Sequence, residues 1–235
     1  RDAQESRGLG DVYKRQAIIL TMAAQAKVSS NFSKYSRVRN HKGISGAEAA
    51  RAVLDANGLN DVTIEQVRGS LTDHYDPRHR VLRLSQTVYG VDSVAAVSVA
   101  CHEAGHAIQH AESYAPLKIR NSIVPVVNLA SRFSWLLIFI GIGLLYSGNY
   151  MGDLLFNIGV IAFVAVIVFH AVTLPVEFDA SKRAIEQMEI QGIIDGEEDS
   201  GARKVLGAAA MTYVASFAMA VANLLRILAM RGRRD

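Results

Sequence analysis

His102-Glu103-Ala104-Gly105-His106 is the stretch on which the reading of this chain turns. The preceding run Val94-Ala-Ala-Val-Ser-Val-Ala-Cys101 is small and apolar, which predicts a buried helix over residues 93–111. On such a helix His102 and His106 lie one turn apart and point the same way, so that two imidazoles can share one tetrahedral Zn²⁺. Glu103, beside the first histidine, is then placed to take a proton from a zinc-activated water and pass it to a leaving amine. Buried His and Glu side chains need partners, which argues against an idle solvated helix. Ala104 and Gly105 are small and are expected to leave room for a metal and a substrate backbone. The pattern predicts the catalytic core of a zinc metallopeptidase.

A catalytic zinc keeps three protein ligands and one open position. His110 extends the same helical face, but a rigid helix rarely wraps three ligands around one ion. Glu112 stands where the metzincin pattern places its third histidine, yet that pattern needs a glycine where Gln109 stands. Glu186 reads as a solvated helix residue. Glu177 is the best candidate. It follows a long apolar run in Thr173-Leu-Pro-Val-Glu-Phe-Asp-Ala-Ser181, where a carboxylate seeks a cation or water, and a Glu from a second helix completes the thermolysin-like ligand set.

The chain is 50% apolar and 20% charged, with a mean hydropathy of +0.17. Those values are too apolar for an ordinary soluble domain and predict a membrane protein with one modest polar domain. Together with the His102–His106 motif and the apolar segments, the expected fold is a mainly α membrane protein with a small α+β zincin-like (gluzincin-type) domain and two to four membrane helices. Residues 1–16 are charged and aperiodic and read as foreign to the rest of the chain. Residues 17–24 read as the remnant of an N-terminal membrane helix, too short to span a bilayer alone. Residues 25–132 form the expected zincin-like domain. Within it, Ser45-Gly-Ala-Glu48 is a capping box for a helix ending near Asn57, Val62–Val67 alternates, Asp76-Pro77 marks a turn, and Val81–Leu84 reads as a strand. Residues 134–150 and 154–176 are expected membrane helices, 177–204 the third-ligand helix with a polar loop, and 205–230 a membrane or interfacial helix. The single Cys101 excludes an internal disulfide and reads as packing.

Charge sets the expected orientation. Lys118, Arg120 and Arg132 precede the first full span, and Lys182, Arg183, Arg203 and Lys204 follow the second. The loop Ser147–Asp153 between them carries no Lys or Arg, so the positive-inside rule places the His102 helix and Glu177 on the cytoplasmic side of a multi-pass cell-membrane protein. A third crossing would put Arg231-Gly-Arg-Arg234 outside, against the rule, so the last apolar stretch either crosses or lies at the interface. The formal charge of +3 and pI near 9.0 come from basic residues beside the spans. Anionic lipid rather than nucleic acid is the partner they fit, and no phosphate loop or nucleic-acid motif is present. The expected partners are the bilayer and a protein or peptide substrate.

Four segments in order, Leu71-Thr-Asp-His-Tyr-Asp-Pro77, His102-Glu-Ala-Gly-His-Ala-Ile-Gln-His110, Tyr114-Ala-Pro-Leu-Lys118 and Leu174-Pro-Val-Glu-Phe-Asp-Ala-Ser181, resemble the YugP-type neutral zinc metallopeptidases, bacterial membrane proteins. The resemblance runs from about Ala17 to the C-terminus. It implies a bound Zn²⁺ with His102 and His106 as ligands, Glu103 as the catalytic residue and Glu177 as the third ligand. One departure concerns the residue four positions after the ligand Glu: thermolysin-like and related membrane proteases often carry an Asp there, whereas this chain has Ser181, with Asp179 two positions on. Two rival readings differ in class. A site-2-type intramembrane protease pairs its motif with an Asp from a Leu-Asp-Gly-like segment, absent here. A non-catalytic metal-binding membrane scaffold needs four protein ligands, for which His110 is the candidate.

Overall fold

A computed structural model describes residues 2–231; the basic tail beyond Arg231, with its Gly232–Arg234, lies outside the described residues. Among the described residues, six helices and three strands follow in order: α1 (Asp2–Tyr35), α2 (Gly46–Ala56), β1 (Thr63–Val67), β2 (His74–Asp76), β3 (Val81–Ser85), α3 (Val94–Ala111), α4 (Ala115–Tyr146), α5 (Met151–Ile190) and α6 (Gly196–Arg231). The chain divides into two compact units. The polar unit comprises residues 24–118 and 175–211, and the apolar unit the described residues up to 23, 119–174 and from 212 onward.

In the polar unit α2 begins as its sequence requires. Ser45 Oγ accepts from the Glu48 N–H at 3.3 Å while Glu48 Oε2 accepts from the Ser45 N–H at 2.7 Å, closing a capping box worth about 1 kcal/mol. Gly58, at φ +71°, follows its end. The sheet has the order β1-β3-β2, with β1 parallel and β2 antiparallel to β3. The turn expected at Asp76-Pro77 is present over residues 77–80, and β2 leads into it; three residues give too little alternation to register as a strand, and pairing of Tyr75 with Leu82 defines β2 instead. Helix α3 starts at Ser93, whose hydroxyl accepts from the Ala96 N–H at 3.1 Å. Val53, Leu54, Leu82, Leu84, Val97, Ala100, Ala104, Met188 and Leu206 form one core from α2, β3, α3 and the polar-unit segments of α5 and α6. Complete burial of each larger side chain contributes about 1.5–3 kcal/mol.

The apolar unit obeys a different rule. Helices α4, α5 and α6 are each long and apolar enough to cross a membrane. Large side chains such as Leu129, Phe139, Ile161 and Val168 are exposed, while Ile138, Phe156, Phe163 and Ile227 pack together. Close approach depends on small residues: a Cβ on Gly141 would stand 2.6 Å from the Phe156 backbone nitrogen. The expected spans 134–150 and 154–176 fall within longer helices. α4 already begins at Ala115, because the polar residues of its first turns do not by themselves end a helix. α5 runs unbroken through Pro175 and Glu177, so the expected third-ligand helix is a continuation of α5, and α6 starts separately at Gly196.

Candidate metal centre

The motif helix α3 and the start of the polar-unit segment of α5 pack against each other at Gly105. A Cβ there would lie 2.7 Å from the Ala180 carbonyl oxygen, closer than real Cβ contacts come. The small residues of the motif therefore serve helix packing rather than room for substrate: Gly105 admits the α5 backbone, and Ala104 is wholly buried in the core. This contact brings the carboxylate of α5 to the two histidines of α3.

His102 Nε2 stands 3.2 Å from Glu177 Oε2, and His106 Nε2 stands 3.6 Å from the same oxygen. The two imidazole rings meet edge to face, with centroids 4.8 Å apart. His106 and Glu177 are buried at 9% and 4% exposure. One tetrahedral zinc with bonds near 2.0–2.2 Å sets its ligand atoms about 3.3–3.6 Å apart, so these separations and the nitrogen and carboxylate donor set fit that ion. Burial opposes a charge on His106, but the neighbouring carboxylates of Glu177 and Glu103 outweigh it and raise its pKa. Glu103 is partly exposed on α3, beside the first ligand candidate.

The opposite ring nitrogens are held as well. His102 Nδ1 lies 3.1 Å from Ser181 Oγ. His106 Nδ1 lies 3.0 Å from Gln109 Oε1. Gln109 also donates to the Val176 carbonyl and to Asp179 Oδ2, both at 2.8 Å. Sequence reasoning noted Gln109 only as the residue that breaks the metzincin pattern. Its spacing of i+3 from a candidate ligand on a buried face was the signal available.

The rival third ligands lie elsewhere. His110 Nδ1 is 3.0 Å from the Tyr75 hydroxyl. Glu112 accepts from Arg183 at 2.7 Å, and Glu186 pairs with Lys182. Cys101 is buried and its thiol pKa is pushed up by that burial, which suits packing. His74 is exposed, with its Nδ1 2.9 Å from the Thr72 carbonyl oxygen. His41, Asp195 and Glu198 also gather possible ligand atoms. Their contacts build the start of α6 instead: Asp195 Oδ1 accepts from the Glu197 and Glu198 N–H groups, and Glu198 accepts from the N–H groups of Asp195 and His41.

Comparison with known proteins gives the family. The family profile described as "Putative neutral zinc metallopeptidase" matches residues 12–232. This chain belongs to that family. It is also similar to the "Putative membrane protease YugP" of Bacillus subtilis (strain 168), with 51% identity over 212 residues, covering 90% of this chain and 92% of that protein. No solved structure matches the chain. The family name implies zinc, and His102–His106–Glu177 is a group among the described residues that could hold a metal ion.

Proposed function

We propose that this protein is a membrane-embedded zinc endopeptidase whose metal is held by His102 Nε2, His106 Nε2 and Glu177. The observation that carries the reading is the convergence of both Nε2 atoms on one buried carboxylate oxygen. When bound, zinc supplies Lewis-acid activation of a water and of the substrate carbonyl. Glu103 accepts the proton of the attacking water and returns it to the leaving amine. Engagement of His110 by Tyr75 supports a three-ligand centre with an open position over a closed, four-ligand structural one.

A gluzincin-type arrangement follows, with α3 giving two ligands and α5 the third. β2 pairs on one side with β3 and packs with α3, so its other edge suits an extended substrate backbone added as a strand. Ser181 joins the site to a groove of about 530 Å³, lined also by Phe178, Lys182, Glu186, Arg203 and Leu206, which suits a substrate side chain. The loop between α4 and α5 has no Lys or Arg, whereas basic residues flank the polar-unit segments; this supports a multi-pass arrangement with the active site on the cytoplasmic side. The test is zinc per chain in the purified full-length protein, wild type against Glu177→Ala. About one zinc with clear loss in the variant supports the ligand set. Equal zinc in both rules Glu177 out.

A further inference from the structure

Behind His106 lies a polar construction that the ligand set alone does not require. Gln109 is completely buried, and its amide nitrogen faces the Val176 carbonyl oxygen and Asp179 Oδ2. A carbonyl only accepts, and so does a carboxylate paired with a guanidinium; Arg183 Nε stands 2.6 Å from that same Asp179 oxygen. The Gln109 amide can therefore satisfy both neighbours only with its NH₂ group toward them and its Oε1 toward His106 Nδ1. An amide oxygen also only accepts, so His106 Nδ1 carries the hydrogen, and in the neutral ring that binds a metal Nε2 presents its lone pair.

We infer that Gln109 is the positioning residue that fixes the tautomer and ring orientation of His106 for the metal, locked in turn by Asp179 and Arg183. The inference rests on the His102–His106–Glu177 ligand set proposed above. Arg183 extends the lock back to α3 through Glu112, at 2.7 Å, and packs its guanidinium over the Tyr114 ring at 5.8 Å. His102 is held differently. Ser181 offers it a hydroxyl, which donates or accepts equally well and so leaves the tautomer of His102 open. The two ligand candidates of one motif are thus supported unequally, one by a directional acceptor and one by a hydroxyl that adapts.

The test is zinc affinity by chelator competition on the full-length detergent-solubilised protein. Gln109→Met keeps the side-chain volume and removes the acceptor, and a loss of about 10–100-fold in affinity is expected, with a smaller loss for Ser181→Ala. Affinity within about twofold of wild type in Gln109→Met, or a loss no greater than that of Ser181→Ala, overturns the inference. Because Gln109→Met also strips two acceptors of their donor, the unaltered protein supplies a second readout. Nitrogen NMR of His106 after zinc removal, at alkaline pH, should show the hydrogen on Nδ1; a hydrogen on Nε2 overturns the inference. Zinc lost in Glu177→Ala but kept in Gln109→Met removes only the role of Gln109. Zinc unchanged in both removes the ligand set, and this inference with it.

Discussion

The polar and apolar units solve the same packing problem in opposite ways. In the polar unit large apolar side chains are inside and nearly every buried polar group of the candidate site has a named partner, from Gln109 to Glu177. In the apolar unit large side chains such as Phe139 and Ile161 face outward, and glycine brings the helices together. Apolar surface costs little when the solvent is lipid, so association there depends on close backbone contact rather than on burial. The polar unit, by contrast, uses one of its tight glycine contacts at the candidate site: Gly105 admits α5 against the motif helix, while Gly46 and Gly201 serve packing elsewhere.

The comparison breaks first at Glu103. If all the chemistry belongs to the polar unit, Glu103→Gln should lower peptide hydrolysis by about 10²–10⁴-fold while zinc content stays at the wild-type level. The measurement is turnover of an unfolded protein substrate alongside zinc per chain. Retained activity would sink the assignment of Glu103 as the proton carrier.

A matched pair of glycine substitutions sharpens the contrast. Gly105→Ala puts a methyl against the Ala180 carbonyl, and Gly141→Ala puts one against the Phe156 backbone. Each should cost about 1–3 kcal/mol of stability through overpacking. Only the first should lower zinc affinity, because it separates α3 from the Glu177 segment. Zinc loss from Gly141→Ala, or none from Gly105→Ala, would remove the distinction between the two contacts.

The same contrast explains what could be read from the chain. Local signals were legible: the Ser45–Glu48 capping box, the small apolar run before His102 and the ends of β3 all follow from adjacent residues. The approach of Glu177 to the motif was also legible, since a carboxylate after an apolar run demands a partner. What escaped depended on residues brought from afar. β2 is too short to show a period, and Gly105 reveals its purpose only when the Ala180 carbonyl is in place. Gln109 and Asp179 gain meaning only from each other, across 70 positions of sequence. The start of α4 was hidden because polar residues in its first turns look like loop to a reading based on apolar runs.

Acid should expose the difference most gently. Among residues whose side chains are described, the apolar unit holds a single carboxylate, Asp153, whereas Glu48, Asp61 and Asp76 of the polar unit all have lowered pKa values. For Asp76 the cause is hydrogen bonding first to His79 and then to Arg83, at 2.7 and 3.0 Å. A carboxyl whose folded pKa lies below its unfolded value of about 3.9 adds stability that is complete above that value and is lost as pH falls toward the folded one. The stability gap between wild type and Asp76→Asn should therefore be constant near neutrality and shrink once pH drops below about 4. Denaturant unfolding of the polar unit at stepped pH measures this. The exposed setting of these ion pairs makes it the smallest of the expected effects, and added salt should reduce it further. A gap that persists unchanged into strong acid would mean that Asp76 acts through its hydrogen bonds to the turn at Arg78 and His79, independently of its charge.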